Sequence, residues 1–123
     1  VKSSGGYIFG GYTDTSWTSN GTYGGRRSPG AFLFSLRCFG GLGPVKMPLN
    51  RNQDNCAVYH LDSHCAIFGG GYDLLISTNP HSRPTSSEYV GSTYQRPPAS
   101  TTTYVLTGNH AFVVAEMEVY QVA

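Results

Sequence analysis

The sequence predicts an all-β fold: an antiparallel two-sheet β-sandwich with long loops and little helix. Three observations point there. Sixteen Gly and seven Pro break the 123 residues at short intervals. No stretch sustains an apolar period of 3.6 residues, as an amphipathic helix would. Several short runs instead alternate apolar and polar side chains and end at turn residues, the pattern of half-buried strands. The length suits one domain spanning residues 1–123.

The first β-rich piece is Tyr7–Phe9. Asp14 to Gly30 is polar and glycine-rich and reads as a long loop carrying Trp17. In the next segment Phe32, Phe34, Leu36 and Cys38 share one face, with Leu33, Ser35 and Arg37 on the other, so it reads as a half-buried strand. Shorter pieces follow at Val45–Leu49, Cys56–Leu61, Cys65–Phe68, Leu74–Ser77 and Tyr104–Leu106. Asn79 to Thr103 holds Pro80, Pro84, Pro97 and Pro98 among Ser and Thr. A structureless run of that length is a candidate binding loop, or a wrap over one end of the sandwich fastened by Tyr89 and Tyr94. In the last strand Val113, Ala115, Met117 and Val119 should face the core, leaving Glu116 and Glu118 in water.

Charge narrows the functional classes. Eight Lys+Arg against seven Asp+Glu give a formal charge of +1, and charged residues are only 12%. This excludes a strongly basic nucleic-acid binder acting by phosphate neutralisation. An acidic disordered tail is excluded too, because apolar residues make up 39% and are spread along the chain. The longest apolar runs, such as Ala31 to Phe34, are far too short for a membrane-spanning helix, so no membrane insertion is expected. A chain with no secretory leader and no initial Met reads as a processed product or an excised piece.

Several strings together resemble the TLDc domain family. Tyr7-Ile8-Phe9-Gly10-Gly11-Tyr12, running on to Trp17, is similar to its opening strand and loop. Ala31-Phe32-Leu33-Phe34-Ser35-Leu36 is similar to its next strand. Asn55-Cys56-Ala57-Val58-Tyr59, a turn, and Cys65-Ala66-Ile67-Phe68-Gly69-Gly70-Gly71-Tyr72-Asp73-Leu74-Leu75-Ile76 match its hairpin, glycine run and following strand. Glu116-Met117-Glu118-Val119-Tyr120 resembles its closing strand. Domains of that family begin with a helical segment and further strands before the first motif, whereas here Val1-Lys2-Ser3 starts inside or just after such a strand. A sandwich without those pieces leaves an edge or an apolar face uncovered. The expectation is therefore a second polypeptide completing it, in a homo- or hetero-oligomer, or a compact variant. The resemblance implies a binding module without catalytic residues, linked to oxidative-stress protection, with the vacuolar proton pump as partner of several members. It also implies an intracellular location.

Chemistry read from the residues gives few candidates. Cys56, His60, His64 and Cys65 lie close in sequence, but on a strand–turn–strand segment rather than at a recognised zinc spacing, so no metal is expected. Three cysteines allow one bridge and a free thiol outside the cytosol, or three free thiols inside it. Bridged cysteines with glycosylation in the Asn20-Gly21-Thr22 sequon would place the chain outside the cell. Cys38 and Cys56 read as small buried apolar residues. Glu116 and Glu118 could act as paired carboxylates but read better as the soluble face of a strand. No Gly-x-Ser-x-Gly elbow occurs, and Gly69-Gly70-Gly71 runs between strands rather than into a helix. No cofactor is expected.

Composition favours recognition. Aromatic rings supply area, and Ser, Thr, Gly and Asn supply hydrogen bonds. The candidate ligand-binding residues are Trp17, Tyr72, Asp73, Asn79, Tyr89, Tyr94 and Asn109, which suit a neutral, hydroxyl-rich glycan. Three readings follow: a non-catalytic binding module with a protein partner, a secreted lectin-like glycan binder, and a carboxylate-dependent hydrolase.

Overall fold

A computed structural model of the chain describes residues 1–17, 24–60, 64–78 and 80–122, with the side chains of residues 64 and 65 left outside that description. The described residues form strands β1 (Lys2–Ser3), β2 (Ile8–Tyr12), β3 (Gly24–Arg26), β4 (Phe32–Arg37), β5 (Val45–Pro48), β6 (Val58–His60), β7 (His64–Phe68), β8 (Leu74–Ser77), β9 (Ser86–Glu88), β10 (Ala111–Phe112) and β11 (Val114–Glu116), with a short 3-10 helix at Asp54–Cys56. They pair antiparallel into two sheets, of order β11-β1-β2-β4-β5 and β10-β9-β8-β7-β6-β3. The fold is thus all-β, as the alternation and the turn residues imply.

The core lies between the sheets. Phe9, Leu33, Met47 and Val114 from the first sheet meet Val58, Phe68, Leu74, Ile76 and Phe112 from the second. Phe9 and Phe112 touch edge to face at 5.3 Å between ring centres. The two glycines of β2 have separate steric reasons. A Cβ on Gly10 would lie 2.9 Å from the Phe34 ring, and one on Gly11 would lie 2.5 Å from the Phe68 ring. One aromatic covers each face of the strand, so a side chain at either position would displace a ring.

The structure decides which face of β4 points inward, and it corrects four expectations. On β4 the fully buried residues are Leu33 and Ser35, while Phe32 and Phe34 are half-buried on the outer side and Leu36 is exposed. There Phe32 stacks on Tyr12 at 5.3 Å, and the Lys46 ammonium sits 4.3 Å from its ring centre. At the closing strand Phe112 and Val114 face the core, whereas Ala115, Met117 and Val119 are exposed. Pairing phase decides this: only two residues there lie between the sheets, so the longer apolar set loses. Tyr104–Leu106 forms no strand, because the Leu106 N–H bonds a side chain rather than a ladder. The runs expected to be structureless hold β3 and β9; β9 escapes notice because its inward residues, Ser86 and Glu88, are polar. Cys56 ends the 3-10 helix rather than lying on a strand.

Among the described residues no helix is long and apolar enough to cross a membrane.

Candidate functional site

Asp73 precedes β8 and Glu88 ends β9, and both are fully buried. Isolated carboxylates cannot sit there without donors. The Asp73 carboxylate accepts hydrogen bonds from the N–H groups of Gly91 at 3.1 Å and of Thr93 and Tyr94 at 3.0 Å. Glu88 accepts from the N–H of Leu106 at 2.7 Å, the N–H of Thr107 at 2.6 Å and the Thr107 hydroxyl at 2.7 Å. The two acids thus fasten both ends of the segment between β9 and β10. Burial raises both carboxyl pKa values while the donors pull them down; burial prevails, and Glu88 is pushed up to about 7.

The glycine run makes the first clasp possible. Gly69 has φ +91°, and a Cβ there would lie 2.6 Å from Asp73 Oδ1; one on Gly71 would lie 2.5 Å from Ser92 Oγ. Bare backbone lets residues 91–93 come down onto the turn. Sequence reading placed Asp73 on a recognition surface. The structure corrects this: the side chain holds backbone and is out of reach.

The other expected ligand-binding residues disperse. Tyr94 is fully buried, and its hydroxyl donates to the Ala57 carbonyl at 2.5 Å. Two of these residues meet Asp73 through backbone N–H groups at 3.0 Å, Tyr94 at its carboxylate and Tyr89 at its carbonyl. Tyr72 is exposed and packs edge-on to Tyr59 at 5.6 Å, while Tyr89 is exposed and packs on Tyr104 at 6.1 Å. Trp17 is half-buried, lies edge-on to Phe68 at 5.1 Å, and donates its indole N–H to the Ile67 carbonyl at 3.2 Å. Asn109 is exposed beside an open groove of about 440 Å³, whose uncharged wall includes Tyr7, Phe39 and Thr107. Asn79 and the Asn20 sequon lie outside the described residues.

Of the remaining polar candidates, the His64 and Cys65 side chains lie outside the description. Cys38 is buried, and the Cys56 thiol donates to Gln53 Oε1 at 3.3 Å. His60 is buried on β6, where desolvation first and Arg26 second lower its pKa. No group of three or more His, Cys, Asp or Glu side chains that could hold a metal ion occurs among the described residues.

What sequence reading missed is the surface after β11. Val119 is 86% exposed, Tyr120 77% and Val122 70%, with Met117 exposed as well. The Tyr120 hydroxyl donates to the Glu118 carboxylate. At the start of this stretch, the outer edge of β11 is already engaged. The Val114 N–H donates to the Pro80 carbonyl at 2.9 Å, and the Val114 carbonyl meets His81 Nδ1 at 2.7 Å. The acid–apolar alternation of this stretch is legible in the sequence; its exposure is not.

Comparison with protein families matches the TLDc domain over residues 1–123. Neither a curated protein nor a solved structure matches the chain.

Proposed function

Because the chain belongs to the TLDc domain family, we propose that it is a non-catalytic interaction module that engages a protein partner. The observation that supports this reading is the run of exposed apolar side chains at Met117, Val119, Tyr120 and Val122, continuous with the edge of the five-stranded sheet. So many exposed apolar side chains within one short stretch beside polar groups suit a contact site. In the same reading the carboxylates Asp73 and Glu88 are structural, since their oxygens already accept backbone N–H groups away from solvent.

A stress-protective role then runs through the partner rather than through the described thiols, Cys38 and Cys56. Neither Cys38, which is buried, nor Cys56, which bonds Gln53, is an exposed electropositive thiol of the reactive kind.

Affinity capture with the 123-residue chain, beside a variant carrying Val119→Ser and Tyr120→Ser, tests the reading. A partner retained by the parent and lost from the variant, with unchanged thermal stability, is the expected result. Equal retention by both overturns it.

A further inference from the structure

We propose that the segment from Glu116 to Val119 binds its partner by strand addition, taking up an extended peptide that alternates basic with apolar residues. This deepens the interaction-module reading and rests on it.

Four observations converge. First, β11 is a sheet edge: it pairs with β1 on one side, with Lys2 opposite Glu116 and Ser3 opposite Val114. Second, the other side already takes hydrogen bonds from outside the sheet, at the turn of Pro80 and His81. Val114 turns its N–H and carbonyl away from β1 toward Pro80 and His81, while the neighbouring Val113 carbonyl accepts from Ser4 N–H on the β1 side. The register shifts between the Lys2–Glu116 and Ser3–Val114 pairs, a β-bulge, so Glu116 turns its own N–H and carbonyl to Lys2, and alternation from there turns those of Met117 and Val119 outward. Third, the backbone from Met117 to Val122 follows β11 without joining either sheet, with exposed side chains throughout. Its N–H and carbonyl groups are open to a ladder.

Fourth, the side chains specify the occupant. Glu116 and Glu118 fall on one face of an extended strand, and Met117 and Val119 on the other. Directly opposed residues of antiparallel strands share a face, so unlike charges stabilise the pairing and like charges oppose it. A peptide with Lys or Arg opposite the glutamates and aliphatic residues opposite Met117 and Val119 satisfies both faces. A second copy of this segment does not. Centred on Met117 it sets Glu116 against Glu118; slipped by one residue it sets glutamates against apolar side chains. The glutamates therefore disfavour self-pairing and leave the edge to a basic partner. Main-chain hydrogen bonds supply affinity in this mode, and alternate side chains supply selectivity.

The test uses the full 123-residue chain and three blocked eight-residue peptides. One alternates Lys and Val and is N-methylated on one edge, so that it cannot stack on itself. Its twin has Glu for Lys. The third is the Lys–Val sequence methylated on both edges. NMR titration and amide hydrogen exchange are the readouts. The first peptide should bind at least about tenfold more tightly than the others and slow exchange at the Met117 and Val119 amides. A Glu116→Lys, Glu118→Lys variant should prefer the Glu–Val peptide. Binding indifferent to edge methylation, no protection at residues 117–119, or an unchanged preference in the variant would each overturn strand addition. Capture of a partner that depends on Val119 and Tyr120 can survive that failure, so the two readings fall separately.

Discussion

Two adjacent glycines in β2 have unequal neighbours, and the difference is measurable. The Phe34 ring beside Gly10 is half-buried and can swing outward; the Phe68 ring beside Gly11 is held in the core against Trp17 and Tyr94. Gly11→Ala should therefore cost about 2–3 kcal/mol and Gly10→Ala about 1 kcal/mol or less, read from urea midpoints. Equal losses would show that Phe68 moves as freely as Phe34. The sequence displays the Gly-Gly pair plainly. Nothing in it tells which ring meets which glycine, since Phe68 arrives from the other sheet.

At the scale of elements, the segment between β9 and β10 is organised by side-chain acceptors instead of a ladder. Asp73→Asn replaces one acceptor oxygen with an NH₂ donor, which then faces the Gly91, Thr93 or Tyr94 N–H groups. Amide exchange at those three residues should accelerate by about tenfold or more, while exchange at Leu106 and Thr107, held by Glu88, stays close to the parent rate. Uniform acceleration would mean that the two clasps open together. This segment also marks the limit of what can be read from the chain. Leu74–Ser77 is legible to the residue because four consecutive buried positions form a β-rich run. Strand β9 is not, because Ser86 and Glu88 face inward and resemble loop residues. Ser86 is tolerated there because its hydroxyl accepts the Ser77 N–H at 3.1 Å. The candidate site fared likewise. Asp73 and Tyr94 stand out in the sequence for their chemistry, but their partners lie about twenty or more residues away and turn them into supports. The closing strand was legible as a strand and mis-phased, since alternation alone does not say where a strand leaves the core.

For the molecule as a whole, Glu88 sets a pH dependence. Its ordinary pKa of 4.5 rises to about 7 in the fold, so the folded state holds the proton more tightly than the unfolded chain. Its favourable contribution is complete below about 4.5 and is lost as pH climbs through 7. His60 acts in the opposite sense, because its lowered pKa makes folding release a proton. Subtracting matched curves separates them. Relative to the parent, Glu88→Gln should gain about 2–3 kcal/mol of stability between pH 5 and pH 8, measured by urea unfolding at each pH. Parallel curves would place the titration elsewhere.

Topology adds a consequence in time. The first strand, β1, has its outer neighbour in β11, with Lys2 opposite Glu116. Between them the chain changes sheets at the single residue Val113, which separates β10 from β11. A chain emerging from the ribosome therefore cannot close this sheet until Val114 and Glu116 have followed Lys2 and Ser3 out. Such distant pairing slows folding, with refolding expected in milliseconds to seconds by stopped-flow fluorescence of Trp17. Nascent β1 and β2 must wait, exposed, for a strand that does not yet exist.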